Sequence, residues 1–257
     1  MHRQDLQSNS EHLDDDSSVH SSDISGAAEL SEKVACFPER VSKEYIKTLP
    51  LLAFEGKIQL VTKMEDLRSA IKTLRSSSVI GFDTETRPSF KKGENYSVSL
   101  LQLSTSKEAF LFRLNHLGFP EELVSLLADP AVLKVGVAIL DDIRALRKLK
   151  EFDAAGFVEL SNIGSELGIV TCGLRNLAAI FFGVRISKKA QLTNWERAEF
   201  NSTQALYAAT DAWICLEMYR FLENENLLPE KIVWKMPEPQ PPKSTRRFRK
   251  KKREQEN

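Results

Sequence analysis

Val79-Ile80-Gly81-Phe82-Asp83-Thr84-Glu85-Thr86 is the stretch on which the reading of this chain turns. Val79, Ile80 and Phe82 suit a buried strand, and Gly81 lets a neighbouring element pack close. Side chains along a strand alternate between its two faces, so Asp83 and Glu85 share one face at the strand's carboxyl end. Two like charges placed so close repel unless a cation sits between them. A hard divalent ion, which takes oxygen ligands, removes the repulsion. An isolated Asp-x-Glu is equally a strand that simply ends in polar residues, so the metal reading needs carboxylates from elsewhere in the chain.

Two helical stretches supply them. Residues 141–150 read Asp-Asp-Ile-Arg-Ala-Leu-Arg-Lys-Leu-Lys. On a helix Asp142 shares a face with Leu146 and Leu149, whereas Asp141 shares one with Arg144 and Lys148. Asp142 is therefore expected to point inward and Asp141 outward, as the helix N-cap; the competing account makes Asp142 the cap. A long helix is expected from about Ser202 to Asn224. On it Tyr207 and Asp211 are four residues apart, on a face continued by Ile214, Cys215 and Met218. Aspartate is a poor helix former, and here it lies mid-helix on the apolar side, flanked by alanine. Taken alone, the pair is also satisfied by a buried tyrosine–aspartate hydrogen bond with no metal. Taken together, four carboxylates and a tyrosine point inward from one strand and two helices, which implies bound cations.

The rest of the chain frames this centre. Its 257 residues are 42% hydrophobic and 28% charged, enough for one sizeable core. The formal net charge of zero conceals an acidic segment, 1–33, and a basic run, Arg246–Arg253. Residues 1–45 read as a disordered acidic tail and lead-in, 46–229 as the folded domain, and 230–257 as a proline-rich linker and basic tail. The three cysteines, Cys36, Cys172 and Cys215, form neither a disulfide framework nor a zinc pattern. No apolar run reaches a membrane span, and no signal peptide opens the chain, so an intracellular, soluble protein is expected, cytoplasmic or, if eukaryotic, nuclear. Strands are expected at 58–61, 79–85, 98–103, 109–112 and 132–139. Helices are expected at 62–76, from Pro120 to about 129, at 141–150, and over 160–182 with breaks at Gly168 and Gly173. Strands cluster first and helices later, which predicts an α/β domain with a mixed sheet flanked by helices.

Three segments, Phe82-Asp-Thr-Glu85, Lys134-Val-Gly-Val-Ala-Ile-Leu-Asp-Asp142-Ile-Arg-Ala-Leu146 and Tyr207-Ala-Ala-Thr-Asp211-Ala, resemble in order the motifs of the DEDD 3′–5′ exonucleases. The Tyr-x-x-x-Asp spacing resembles the DEDDy branch, and within it the ribonuclease D and Werner-syndrome-type exonuclease domains. Lys188-Lys-Ala-Gln191-Leu-Thr-Asn194-Trp195 is similar to the stretch before the third motif. The resemblance covers roughly residues 55–225 and implies a ribonuclease H-like fold. It implies two magnesium or manganese ions: Asp83 bridging both, Glu85 and Asp211 completing one site, Asp142 serving the other largely through water, and Tyr207 orienting the attacking water. The position that carries histidine in the sister branch is Leu206 here, which excludes that branch. The helical repeats and the helicase that accompany the domain in its relatives have no counterpart within these 257 residues.

The expected reaction is hydrolysis of DNA or RNA from the 3′ end with release of nucleoside 5′-monophosphates. Arg185, Lys188 and Lys189 are candidate phosphate contacts. Trp195 either stacks on a base or packs in the core. Arg87, Lys91 and Lys92 meet the backbone or form a solvated loop. Arg246–Arg253 binds phosphate, serves as a nuclear import signal, or is a solvated end. The rival from another class is a catalytically silent nucleic-acid-binding or scaffold protein on the same fold, which loss of a carboxylate would mark; all four are present. A dehalogenase-type phosphatase wants Asp-x-Asp and leaves the Tyr-x-x-x-Asp helix unexplained.

Overall fold

Strand β2 (Val79–Thr86) runs through the middle of a seven-stranded sheet of order β1-β4-β3-β2-β5-β6-β7. The computed structural model describes residues 37–91 and 93–234; the expectations for 1–33, Lys92 and 246–253 lie outside them. The other strands are β1 (Lys57–Val61), β3 (Val98–Ser104), β4 (Glu108–Arg113), β5 (Leu133–Gly136), β6 (Phe157–Glu159) and β7 (Val233–Trp234). The β2, β3 and β4 strands form an antiparallel meander, with β1 parallel to β4 on one side. On the other side β5 is parallel to β2, β6 parallel to β5, and β7 antiparallel to β6.

Helices cover both faces, as expected for a mixed α/β sheet. They are α1 (Lys43–Thr48), α2 (Met64–Arg75), α3 (Leu114–Leu117), α4 (Glu121–Leu127), α5 (Ile139–Leu149), α6 (Leu160–Glu166), α7 (Leu174–Phe182) and α8 (Ser202–Asn224). In α2 the buried residues Leu67, Ala70, Ile71 and Leu74 fall at helical spacing, so one stripe faces the sheet. That stripe joins Ile80, Phe82, Leu101, Phe110 and Phe112 in the main core, together with Ile139, Ile143 and Leu146 of α5. Each such fully buried large side chain contributes about 1.5–3 kcal/mol, and Leu67 and Leu74 are completely covered. The opposite face lies under α8. There Tyr207 and Ala208 pack on Leu100, Leu111 and Trp195, and Ala209 packs on Phe54 and Ala109.

Gly81 sets how closely α8 approaches. A Cβ on Gly81 would stand 1.9 Å from the Ala212 carbonyl oxygen and 2.6 Å from Ser104 Oγ. The helix backbone therefore rides directly on β2, with Asp211 above the strand's carboxyl end. A capping box between Asn201 and Gln204 starts this helix where its sequence places it.

Several elements differ from expectation. The apolar run 132–139 is a strand only over Leu133–Gly136, and Ile139 already begins α5. Ala138 turns the chain with φ 61° and ψ 35°, in the left-handed region, and a short apolar run does not itself reveal such a break. Asp141 is therefore not an N-cap: it lies inside the first turn. The Glu159 carboxylate instead accepts from Ala138 N at 2.9 Å and Ile139 N at 2.8 Å. The short elements α1, α3, β6 and β7 were not anticipated. Helix α1 spans the boundary expected at 45/46, and β7 adds to the sheet beyond residue 229.

Pairing along β2 explains where the site opens. Strand β5 accompanies β2 only from Val79 to Gly81, whereas β3 follows it to Thr86. From Phe82 onward β2 has a partner on one side only, and a crevice forms outside the carboxyl ends of β2 and β5. Open α/β sheets place their ligands at such a point.

Candidate active site

Asp83 and Glu85 lie on the face of β2 that looks toward α8. Asp211 comes down onto them from that helix, and carboxylate oxygens of all three lie within 4.8 Å of one another. Asp142 approaches from the other face, carried by α5. Its Oδ1 accepts from Thr84 Oγ1 at 2.5 Å, so it stands beside the trio and outside it. Asp142 is half-buried and Asp141 exposed, the orientation that the helical phase predicts. Tyr207, one turn before Asp211, is buried and hydrogen-bonds with it.

These groups form part of the wall of a cleft of about 1060 Å³. Asp83, Glu85, Asp211 and Tyr207 line its acidic side. Arg175, Arg185, Lys188, Lys189, Lys43 and Lys47 line it too, so carboxylates and cations face the same space.

Burial raises every carboxylate here, and repulsion among them adds to the rise at Asp83 and Glu85. Asp83 is pushed well above the usual range by burial and then by the charges of Asp142, Asp211 and Glu85; the Thr84 N–H opposes this. Glu85 is pushed up to about 9 by burial and by Asp211 and Asp142. Asp211 rises to about 7 through burial, moderated by the Tyr207 hydrogen bond and the Arg175 charge. Asp142 rises to about 7 through burial, moderated by its bond from Thr84, while Asp141 and Glu159 add to the rise. Burial and the neighbouring carboxylates push the Tyr207 phenol up as well, so at neutral pH it donates a hydrogen bond and does not act as a base. Such a cluster ionises fully only when a cation compensates it, and an all-oxygen donor set fits a hard divalent ion.

A sequence profile described as 3′–5′ exonuclease matches residues 58–226. The chain belongs to the 3′–5′ exonuclease family. The mouse protein named bifunctional 3′–5′ exonuclease/ATP-dependent helicase WRN is 31% identical over 206 residues, covering 76% of this chain and 14% of WRN. Ribonuclease D of Haemophilus influenzae is 30% identical over 172 residues, covering 65% of this chain and 42% of that protein. The chain thus spans less than half the length of either relative. The structure of Trypanosoma brucei ribonuclease D in complex with RNA U12 matches with a TM-score of 0.60 at 19% identity, covering 66% of this chain and 63% of that one. That likeness concerns the fold, which is ribonuclease H-like as the motifs implied.

Within this exonuclease domain the expected nucleic-acid contacts divide. Lys188 and Lys189 are exposed on the cleft. Arg185 also lines it, but its Nε donates to the Leu49 carbonyl at 2.9 Å, so part of the guanidinium is committed to the chain itself. Trp195 is a correction. It is fully buried, packed against Phe200 and Tyr207, and offers no face to a base. Arg113 holds its segment in place, donating to the Arg197 and Ala198 carbonyls at 2.6 and 3.0 Å. Arg87 is paired with Glu196 of the segment before α8 at 3.1 Å and stacked on Tyr96 of its own loop, and Lys91 pairs within that loop with Glu94 at 3.9 Å.

Four residues near the site were not singled out from the sequence. Arg175 lines the cleft and acts on Asp211 from α7. Thr84 holds Asp142. Glu159 caps α5, with Ser161 N donating to the same carboxylate at 3.0 Å. Gln102 stands directly opposite Asp83 in the β2–β3 register, fully buried, with neither amide atom hydrogen-bonded among the described residues. A glutamine in the middle of the apolar strand Val-Ser-Leu-Leu-Gln-Leu was the available signal for it. Among the described residues no helix is long and apolar enough to cross a membrane.

Proposed function

We propose that this chain is a metal-dependent 3′–5′ exonuclease that shortens nucleic-acid strands from the 3′ end and releases nucleoside 5′-monophosphates. The observation that carries the reading is the convergence of Asp83, Glu85 and Asp211 from β2 and α8 in a cleft that also presents cations. Those three would hold one magnesium or manganese ion, and Asp142 would serve a second. Bound there, such ions lower the pKa of water and offset charge on a phosphate undergoing in-line displacement. The chain's own residues do the rest. Tyr207, a donor at neutral pH, orients the attacking water. Arg175, Lys188 and Lys189 meet the phosphates of the strand. The RNA bound to Trypanosoma brucei ribonuclease D supports a nucleic-acid ligand for this fold.

The test uses single strands of DNA and RNA of the same sequence, labelled at the 5′ end. Ladders that shorten by one nucleotide, release of 5′-monophosphates and inhibition by a 3′-phosphate are expected, with loss of activity in Asp83→Asn, in Asp211→Asn and in excess EDTA. Cutting of a circular single strand at an equal rate would overturn the exonuclease reading. Full activity of either variant would overturn the assignment of the metal ligands.

A further inference from the structure

Helix α1 and the strap that follows it lie ahead of the segment 58–226 that matches the exonuclease family, yet they build part of the catalytic cleft: Lys43, Ile46, Lys47, Leu51 and Leu52 all line it. The strap is fastened by main-chain bonds. Leu52 N donates to the Arg185 carbonyl and Arg185 N to the Pro50 carbonyl, both at 2.9 Å. Phe54 N donates to Thr210 Oγ1 at 3.1 Å, one residue before Asp211. The strap is thus tied both to the loop that carries Lys188 and to the helix that carries the last carboxylate. Ser42 caps α1 by accepting from Tyr45 N at 3.0 Å.

Lys43 and Lys47 are four residues apart and share one face of α1. Both are exposed, both line the cleft, and neither has an ion-pair partner among the described residues. Glu44, their acidic neighbour on the helix, is not among the residues that line it. Two ammonium groups on the wall of the cleft that holds the carboxylates, without an ion-pair partner among the described residues, suit a polyanion whose end lies at the carboxylates and whose body passes over α1. We infer that α1 is a backbone-binding wall: Lys43 and Lys47 hold phosphates of the strand upstream of the nucleotide being removed, and so extend the substrate footprint beyond the family domain. The inference rests on the nuclease reading above. Ammonium–phosphate contacts carry no base information, so the wall acts on any sequence.

The experiment measures binding, with cleavage suppressed by Asp83→Asn in the full chain. Fluorescent single strands of twelve nucleotides and of three are titrated across a salt series, with and without Lys43→Gln plus Lys47→Gln. Each phosphate contact on a single strand adds about 0.7 to the slope of log affinity against log salt, so the double variant should lower the slope by about 1.4 on the longer strand. Its affinity for that strand should fall several-fold at low salt, the trinucleotide should bind as before, and Glu44→Gln should change neither. An unchanged slope and affinity on the longer strand, or an equal loss on both strands, would overturn the wall. If the slope falls as expected but the unaltered chain shortens no strand, the nuclease reading fails and the wall stands. If strands are shortened but the slope is unmoved, the wall alone fails.

Discussion

Binding of a divalent cation by Asp83, Glu85 and Asp211 should depend steeply on pH, and the surroundings of these carboxylates set the size of the effect. Without a cation Glu85 is held up to about 9 and Asp211 up to about 7. Metal ligands must be deprotonated, so binding expels protons. At pH 7 Glu85 lies about two pH units below its pKa, and ionising it costs about 3 kcal/mol. Asp211 is near its midpoint and costs a few tenths. Apparent affinity should therefore rise nearly tenfold from pH 7 to 8 and roughly 50-fold between pH 7 and 9, from Glu85 alone. It should fall more steeply below pH 7, where Asp211 and Asp142 also take up protons. Calorimetric titration with Mn²⁺ in buffers of different ionisation enthalpy would count the protons; at least one should be released at neutral pH. Glu85→Gln should bind more weakly and with a flatter pH dependence. The sign of the stability effect follows from the same shifts. The native, cation-free chain holds protons that the unfolded chain has already released above about pH 4.5, so this contribution is present at low pH and lost as pH rises through the folded values. The Tm of the metal-free chain should drop from pH 5 to pH 9, and added cation should restore it most at the alkaline end. Affinity that stays flat from pH 7 to 9, with no proton release, would refute the reasoning, because it would mean the carboxylates are already ionised before the cation arrives.

Three further outcomes are expected. Gly81→Ala places a methyl 1.9 Å from the Ala212 carbonyl, so α8 must move by about 1 Å or more; overpacking should cost about 1–3 kcal/mol, and misplacement of Asp211 should slow the folded enzyme roughly 100-fold, whereas a lower Tm with normal activity of the folded fraction would show that the helix position is not critical. Asp142→Asn should lose most activity, while Asp141→Asn, whose side chain is 92% exposed beside Arg144, should keep its activity and shift stability by no more than about 0.5 kcal/mol; the reverse ranking would place the wrong carboxylate in the site. Gln102→Met removes two buried polar atoms without partners and preserves shape, so stability should hold or rise; if Gln102 orients Asp83, the thermal shift on adding Mn²⁺ should shrink, and an unchanged shift would reduce the glutamine to a packing residue.

Local chemistry made much of this protein legible in its amino-acid order. The alternation of Val79–Glu85 put both carboxylates on one face, and helical spacing placed Asp142, Tyr207 and Asp211 on inward faces. These readings hold because a strand and a helix each have a fixed period, whatever they pack against. The start of α8 has a local cause as well: Asn201 and Gln204, three residues apart, form its capping box. Elements whose stability is borrowed were not legible. Strand β6 exists because β5 offers an edge to pair with, and β7 because β6 does; the strap after α1 holds its place through bonds to Arg185 and Thr210, which lie more than a hundred residues away. The start of α5 depends on Glu159, a carboxylate twenty residues further on that caps it across space. Trp195 carried two readings because an aromatic ring suits both a base and a core, and only the packing of Phe200 and Tyr207 around it decides between them. The order of residues thus determined which side chains are the candidates for the chemistry. The convergence of Asp83, Glu85 and Asp211 within 4.8 Å, and the cations that line the same cleft from α1 and α7, rest on contacts between segments far apart in the chain, and such contacts have no period to read.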